Sequence, residues 1–219
     1  MGTREIKVYK DLMGANEKWA AKTRSLLAER QLSMLNIIGS PGCGKTALLE
    51  KTAEVYGGRV RLAVLEGDVE TTRDAERLDA LKIPTSQLLT GGACHLEAKL
   101  VHHALVDLPL EEIDVVIVEN VGNLVCPAEF DVGETAKVAV LSVTEGEDKP
   151  LKYPLLFHEA GAVVLSKTDL MPHLSFDMES CIDFVRRANA SAPVFQLSAR
   201  SGDGIDAWID WLSGIAGKE

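Results

Sequence analysis

The sequence is poor in aromatic residues, contains no long apolar run and has a deficit of positive charge. Phenylalanine, tryptophan and tyrosine make up only 5% of the 219 residues, so a hydrophobic core must rest on aliphatic side chains. No apolar run approaches the roughly 20 residues that span a bilayer, which argues against a membrane protein. The formal net charge of −10 argues against a surface that coats nucleic acid, because phosphate binding needs clustered lysine and arginine.

The N-terminal residues and the cysteines indicate the cellular compartment. Residues 1–7 lack the apolar core and the cleavage site of a secretory signal, so we expect a cytoplasmic protein. There are only four cysteines, and a disulfide framework is not expected in the cytoplasm. Each cysteine is therefore interpreted as a core residue, a reactive thiol or a metal ligand. Cys181 lies in an amphipathic helical stretch and is predicted to be a core residue.

Short apolar runs alternate with helical stretches along most of the chain. Runs typical of buried strands occur at 34–38, 59–65, 114–118, 138–143, 162–165 and 194–197. Helices are predicted near 16–30, 45–56, 96–106, 151–159, 176–189 and 205–212. This alternation predicts an α/β fold with a mostly parallel sheet and helices on both faces.

A glycine-rich turn separates the first predicted strand from the next helix. Its sequence, Gly39-Ser-Pro-Gly-Cys-Gly-Lys-Thr46, matches the phosphate-binding pattern G-x-x-x-x-G-K-S/T in the required context. Backbone N–H groups would surround a phosphate, Lys45 would neutralise its charge, and the Thr46 hydroxyl would bind Mg²⁺. The side chain of Cys43 is expected to point away from the phosphate. The predicted nucleotide-binding residues here are Gly39, Ser40, Gly42, Cys43, Gly44, Lys45, Thr46 and Ala47.

This loop predicts a P-loop NTPase fold, and it sets the expected domain boundaries. We expect one P-loop GTPase domain over residues 32–219, preceded by an N-terminal helical extension over residues 1–31. Ligands of such folds bind beyond the carboxyl ends of the strands. The further candidate residues all follow predicted strands.

Two later strand ends indicate which base is bound. Ser166-Lys-Thr-Asp169 resembles the N-K-x-D guanine motif of GTPases, with Ser166 in place of asparagine. The Asp169 carboxylate can accept hydrogen bonds from guanine but not from adenine, a mismatch on the order of 10² or more in selectivity. Lys167 would lie over the base, and Ser198-Ala199-Arg200 resembles the segment that contacts the guanine oxygen. The pair of motifs favours GTP, with a base loop that Ser166 would loosen.

Acidic residues at strand ends are the candidate ligands for Mg²⁺. Glu119 follows the strand at 114–118, where a carboxylate would face Mg²⁺ directly or through water. Asp68 and Asp74 lie in a loop suited to sensing the terminal phosphate, and both are candidate catalytic residues and Mg²⁺ ligands. We predict that Asp74 is the switch residue, with Asp68 an almost equally good candidate. Whichever of the two is not the switch residue is predicted to be a helix cap. No catalytic glutamine or arginine finger can be identified, so hydrolysis should be slow.

Cys94-His95 and Cys126 form a second group of candidate ligands. They fall in neighbouring strand-end loops of the predicted fold, with Cys126 only seven residues after Glu119. Two thiolates and an imidazole suit Zn²⁺ or Ni²⁺, although a tetrahedral set also needs water or a second subunit. From the residues alone, two buried thiols and a capping histidine remain the simpler interpretation.

With these residues in view, the chain resembles the HypB family, the GTPases that help insert nickel into nickel–iron hydrogenase. The resemblance covers about residues 16–212, and its most specific stretches are Cys94-His-Leu96 and Glu119-Asn-Val-Gly-Asn-Leu-Val-Cys-Pro127. It implies that Cys94, His95 and Cys126 bind zinc or nickel at the interface of a GTP-dependent homodimer. It also implies that Lys149, within Thr144-Glu-Gly-Glu-Asp-Lys-Pro150, contacts the nucleotide of the partner subunit.

The resemblance also implies partners. These are the hydrogenase large subunit and a nickel-delivery accessory protein, with no nucleic acid and no membrane. Many relatives carry an N-terminal cysteine motif or a histidine-rich stretch that binds nickel. Here the first 40 residues contain neither cysteine nor histidine, so we expect no separate nickel store.

The preferred mechanism couples GTP binding to assembly of the metal site and GTP hydrolysis to metal release. Two other functions stay open. One is a nickel- or zinc-binding adaptor with a structural nucleotide site, against which the intact Lys45 and Thr46 argue. The other is a P-loop kinase for a small metabolite, which would usually need a lid with arginines, whereas the arginines here are scattered. A role in urease maturation is also chemically compatible, but Cys94-His95 with Cys126 fits the hydrogenase branch better.

Overall fold

The computed structural model describes the backbone of residues 3–56, 60–68, 77–78 and 80–217. Among these residues, the side chains of 3–12 and of Asp68 are not described. The strands are β1 (Ser33–Gly39), β2 (Leu62–Asp68), β3 (Thr85–Leu89), β4 (Val115–Glu119), β5 (Ala136–Ser142), β6 (Ala160–Ser166) and β7 (Val194–Gln196). No helix in the described ranges has the length and apolar character that spanning a bilayer requires.

Helices connect successive strands. Among the described residues they are α1 (Thr3–Arg30), α2 (Lys45–Tyr56), α3 (Ala98–Val106), α4 (Cys126–Glu129), α5 (Lys149–Lys152), α6 (Pro154–Glu159), α7 (Met178–Ala188) and α8 (Ile205–Ile215). Short 3₁₀ helices occur at Leu110–Glu112 and Thr168–His173. Where one helix was predicted over 151–159, α5 and α6 are separate, because Pro154 has no N–H to continue the first.

The strands form one sheet, and every pairing in it is parallel. The order is β3-β2-β4-β1-β5-β6-β7, with β1 between β4 and β5. The predicted α/β fold with helices on both faces is confirmed. Because all strands run the same way, their carboxyl ends meet at one edge of the sheet, where ligands of such folds bind.

Strand β3 was not predicted. It occupies the edge of the sheet, and only Leu88 of its five residues is buried. An edge strand needs no continuous apolar run, since its outer side meets solvent. The run Thr85-Ser-Gln therefore lacks the pattern that identified the central strands.

Hydrophobic core covers both faces of the sheet. On one face α2 and α8 pack over the strands, and fully buried Trp208 donates its indole N–H to Thr52 Oγ1 at 2.9 Å. On the other face α1 and α3 cover one half, while α6 and α7 cover the other. Cys181 is fully buried in the second of these halves, which confirms its prediction as a core residue.

Helix α1 packs directly on α3. The Asn16 Oδ1 atom accepts a hydrogen bond from the backbone N–H of Ala98 at 2.9 Å, and its Nδ2 donates to the carbonyl of Asp131 at 2.7 Å. The Thr23 hydroxyl lies 3.2 Å from His102 Nδ1. The domain boundary at residue 31 stays a prediction.

Candidate functional site

The phosphate loop lies between β1 and α2, at the carboxyl end of the central strand. Gly42 and Gly44 have φ angles of 73° and 99°, a region that other residues rarely adopt. Lys45 Nζ donates to the carbonyl oxygens of Gly39 and Ser40 at 3.3 and 3.4 Å. The loop therefore presents the N-terminus of α2 and a lysine cation to one cleft, which suits an anionic phosphate.

The cleft beside this loop has a volume of about 510 Å³. Predicted residues that line it are Gly42, Gly44, Lys45, Thr46, Ala47, Glu119 and Lys167. Residues that the sequence analysis missed also line it, among them Pro41, Glu66, Arg77, Asn120 and Gly122. Glu66 could have been identified from the sequence, because it is a carboxylate that directly follows the predicted strand at 59–65. Arg77 forms an ion pair with Glu50 at 2.6 Å, and no sequence signal identifies that contact.

Two oxygen-bearing side chains meet in this cleft. The Thr46 hydroxyl donates a hydrogen bond to Glu119 Oε1 at 2.8 Å, and both residues are buried. Hydroxyl and carboxylate oxygens are ligands that Mg²⁺ prefers, so these residues fit a Mg²⁺ ion beside the phosphates. Asp68 ends β2, but its side chain lies outside the described residues, as does the whole of Asp74. The roles of these two aspartates stay predictions.

A second cavity of about 220 Å³ adjoins the same loop at Gly44. All five residues predicted to contact the base line it: Lys167, Asp169, Ser198, Ala199 and Arg200. The Asp169 carboxylate accepts a hydrogen bond from Ser198 Oγ at 2.6 Å, which orients it. Lys167 Nζ donates to the carbonyl of Gly42 at 2.6 Å. The base motifs and the phosphate loop are thus joined in one continuous site.

Ser166 links the base loop to the phosphate loop. Its buried hydroxyl donates to the carbonyl oxygen of Cys43 at 2.6 Å. The expected loosening of the base loop and the effect of Ser166 on guanine affinity stay predictions. The Cys43 side chain packs in the core under α2 and does not line the cleft, as expected. Burial raises the pKa of this thiol to about 11.

The three candidate metal ligands lie together. Cys94 Sγ is 2.9 Å from Cys126 Sγ and 3.6 Å from His95 Nδ1, and all three ligand atoms lie within 4.8 Å of one another. The interpretation as buried thiols does not fit, because Cys94 is exposed and Cys126 is partly exposed. Soft thiol sulfurs and an imidazole suit a Zn²⁺ or Ni²⁺ ion.

The protonation of these groups follows from their surroundings. The hydrogen bond with Cys126 raises the pKa of Cys94, so metal binding has to displace a proton from the pair. Burial lowers the pKa of His95, although Glu97 and Glu129 oppose this effect. The neutral imidazole that binds metals is therefore favoured. His95 also stacks on Phe130, with ring centroids 3.8 Å apart.

The two loops that carry the candidate metal ligands follow β3 and β4, which β2 separates. The loops themselves are neighbours, as expected, because Cys94 contacts Cys126. Asn123 bridges the gap, because its Nδ2 donates to the carbonyl of Cys94 at 3.0 Å while its Oδ1 accepts from the N–H of Val125. Cys126 then begins α4.

Lys149 lies apart from both cavities. It begins α5, and its Nζ lies 5.4 Å from the ring centroid of Tyr153. Because it lines neither cavity, its predicted contact with a nucleotide would involve that of a second subunit.

Sequence and fold are both similar to those of known proteins. The CobW/HypB/UreG nucleotide-binding domain family matches residues 33–196. The hydrogenase maturation factor HypB of Azotobacter vinelandii is 50% identical over 210 residues, which are 96% of this chain and 69% of that relative.

Two crystal structures share the whole fold. HypB from Helicobacter pylori in complex with nickel has a TM-score of 0.88 and 36% identity, covering 93% of this chain and 95% of that one. HypB from Archaeoglobus fulgidus has a TM-score of 0.87 and 36% identity, covering 93% of this chain and 99% of that one. The resemblance inferred from the motifs is confirmed: this chain belongs to the HypB hydrogenase maturation factors of the CobW/HypB/UreG nucleotide-binding family.

Proposed function

We propose that the protein is a GTP-hydrolysing metallochaperone that assists nickel insertion into nickel–iron hydrogenase. The main observation behind this proposal is that one short segment, residues 119–126, contributes side chains to both the nucleotide site and the candidate metal site. Glu119 lies 2.8 Å from Thr46 at the nucleotide site, and seven residues later Cys126 lies with Cys94 and His95. A segment that contributes to both sites can link the occupancy of one to the affinity of the other. The nickel complex of the Helicobacter pylori relative supports nickel as the cargo.

Guanine is the base that the second cavity suits best. The oriented Asp169 carboxylate is a pure acceptor, which matches the N–H donors of guanine and leaves an unpaired charge against adenine. Ser198 donates a hydrogen bond to this carboxylate, and Lys167 donates one to the phosphate loop at Gly42. The proposal is therefore GTP rather than ATP.

The residues of the phosphate loop would carry hydrolysis. Lys45 brings a cation to the β- and γ-phosphates, and the backbone N–H groups of the loop orient them. Thr46 and Glu119 would hold Mg²⁺, which neutralises phosphate charge when bound. Asp74 and Asp68 are proposed to sense or activate the reaction at the terminal phosphate. Without a glutamine or an arginine finger among the predicted groups, we propose slow intrinsic turnover.

The metal site would be completed by association of two subunits. Cys94, His95 and Cys126 supply three ligands, one fewer than a tetrahedral site takes. We propose that GTP favours a homodimer in which both subunits contribute thiols, with Lys149 reaching the partner's nucleotide. Hydrolysis would then release nickel or zinc in the cytoplasm to the hydrogenase large subunit, with a nickel-delivery accessory protein upstream.

The test is a titration with Ni²⁺ and with Zn²⁺ of protein loaded either with GDP or with a non-hydrolysable GTP analogue. We expect the metal affinity to differ between the two nucleotide states and to be lost in Cys94→Ala. His95→Ala should also lower the metal affinity. His158→Ala is its matched control and should not, since His158 is exposed and outside the candidate metal group. Equal affinity in the two states would refute a nucleotide-gated carrier.

A second measurement separates this function from a metal-binding adaptor. GTP turnover should be measurable in the wild type and abolished in Lys45→Ala. If turnover is absent from the wild type while metal binding persists, the nucleotide site is only structural. If nucleoside diphosphate forms only when a small-molecule acceptor is added, the protein is a kinase.

A further inference from the structure

The buried side-chain amide of Asn120 links the end of β4, at the candidate nucleotide site, to the loop that contains Cys94 and His95. Asn120 directly follows Glu119 and is only 1% exposed. Its Oδ1 accepts hydrogen bonds from the backbone N–H groups of Leu96 at 3.3 Å and Val121 at 3.0 Å. Leu96 is the residue that follows His95. The side chain of Asn120 therefore holds the end of the Cys94-His95 loop against the end of β4.

Hydrogen bonds and one ion pair continue from Asn120 across the sheet to the segment that carries Cys126. Its Nδ2 donates to Oδ1 of fully buried Asn36 at 3.0 Å, and Asn36 Nδ2 donates to Glu134 Oε1 at 3.3 Å. Lys137 Nζ lies 3.9 Å from that carboxylate and donates to the carbonyl of Ala128 at 2.6 Å. Ala128 belongs to α4, the helix that begins at Cys126. We call the side chains of Asn120, Asn36, Glu134 and Lys137 the amide network.

Neighbouring residues at the end of β4 face opposite sides of the sheet. Glu119 points towards α2, where it meets Thr46, whereas Asn120 points towards α3 and Leu96. Because Glu119 and Asn120 are joined by one peptide bond, a displacement of Glu119 at the nucleotide site would also move Asn120. The buried Asn120 side chain would then lose its hydrogen bond unless the Leu96 backbone moved with it.

Close packing around Gly67 also places Leu96 next to Glu119 at the end of β4. A Cβ atom at this glycine of β2 would lie 2.8 Å from Leu96 Cδ1 and 3.1 Å from the carbonyl oxygen of Glu119. Leu96 itself is fully buried. The end of the Cys94-His95 loop is therefore closely packed against the ends of β2 and β4.

We propose that Asn120 is a positioning residue that couples the state of the nucleotide site to metal affinity, through the Leu96 N–H and the amide network. This inference rests on the proposed GTP-gated metal binding. It assigns the gating to a side chain that lines the nucleotide cleft but is not among the candidate ligands of Mg²⁺, nickel or zinc.

The experiment measures the ratio of the Ni²⁺ dissociation constants with GDP and with a non-hydrolysable GTP analogue. We expect a ratio that differs from unity by about 5-fold or more in the wild type, as is typical of allosteric coupling, and a ratio near unity in Asn120→Ala. Asn120→Asp keeps an acceptor for the Leu96 N–H but cannot donate to Asn36 Oδ1, so it is expected to restore the ratio only in part. A purely structural role would lower stability without erasing the ratio.

Asn189→Ala is the matched control. Its amide makes four similar hydrogen bonds with backbone groups, donating to the carbonyls of His158 and Ala160 and accepting from the N–H groups of Ser191 and Ala192. It also accepts a hydrogen bond from the Ser191 hydroxyl. These residues lie outside both sites, so this variant should be less stable yet keep the wild-type ratio.

The outcomes separate the two proposals. A wild-type ratio of unity refutes the gated carrier and this inference with it, whereas a wild-type ratio retained in Asn120→Ala overturns this inference alone. If Asn120→Ala does not fold, amide hydrogen exchange at Leu96 in the wild type decides the matter. We expect its protection to differ between the two nucleotide states, and identical protection would overturn the role of Asn120.

Discussion

At the scale of single residues, the four cysteines divide into two pairs by their surroundings. Cys43 and Cys181 are buried in the cores on opposite faces of the sheet, and burial raises their pKa values to about 11 and about 12. Cys94 and Cys126 lie at the surface, with their sulfur atoms in contact. Because a thiol must be accessible to a reagent in order to react, the two pairs should differ sharply in reactivity.

Labelling with a maleimide near neutral pH tests this division. We expect Cys94 and Cys126 to react in the folded protein while Cys43 and Cys181 do not, as read by peptide mass spectrometry. Excess Ni²⁺ or Zn²⁺ should slow labelling of the surface pair, because a metal-bound sulfur is withdrawn from attack. Denatured protein, the control, should be labelled at all four positions. Labelling unaffected by either metal would contradict the assignment of these thiols as ligands.

The Asp169 side chain carries the second prediction at this scale. In Asp169→Ala, GTP affinity should fall on the order of 10²-fold while ATP affinity changes little, since only guanine offers donors to the carboxylate. Competition binding with both nucleotides measures this change in selectivity. Asp203→Ala removes a carboxylate from the neighbouring loop that does not line the base cavity, so it should leave selectivity unchanged. Equal losses for GTP and ATP would show that Asp169 supports the loop instead of reading the base.

At the scale of elements, one helix completes the end of another. Glu97 stands at the N-cap of α3, but its side chain makes no capping hydrogen bond. Asn16 of α1 accepts from the Ala98 N–H instead, so the cap comes from a residue 82 positions away in sequence. Since α3 follows the Cys94-His95 loop, the docking of α1 also stabilises the region next to the metal ligands.

Removal of this cap should therefore cost stability. We expect Asn16→Ala to lower the free energy of unfolding by about 1–2 kcal/mol, as for other N-cap deletions. Chemical denaturation with both midpoint and slope recorded measures the change. Lys18→Ala, at an exposed position of the same helix, should change stability by less than about 0.5 kcal/mol. A loss for Asn16→Ala no larger than that for Lys18→Ala would contradict the role of the cap, because alanine has the highest helix propensity and causes no loss by propensity at either position.

At the scale of the whole molecule, the parallel sheet gathers distant segments at one edge. The phosphate loop after β1, Glu119 at the end of β4 and the base loop after β6 converge because every strand ends on the same side. The candidate metal ligands lie at the same edge, in the loops that follow β3 and β4. The amide network connects residues of β1 and β5 with Asn120 at the end of β4.

Much of this arrangement could be predicted from local sequence. A central parallel strand is apolar on both faces, so the runs at β1, β4, β5 and β6 indicated buried strands without any knowledge of their partners. The phosphate loop was equally predictable, because its glycines and lysine are required by backbone conformation and charge at adjacent positions. The candidate metal ligands followed from their residue types.

The sequence by itself thus determined the α/β class, the phosphate loop and the family, and it supplied the candidate ligand residues. Only the tertiary structure decided that Cys94 meets Cys126 across an intervening strand, that Glu66 lines the cleft and that Asn120 contacts Leu96. The physical reason is the range of the interactions. Strand formation and loop conformation depend on neighbours along the chain, whereas these contacts depend on strand order and on side chains many residues apart.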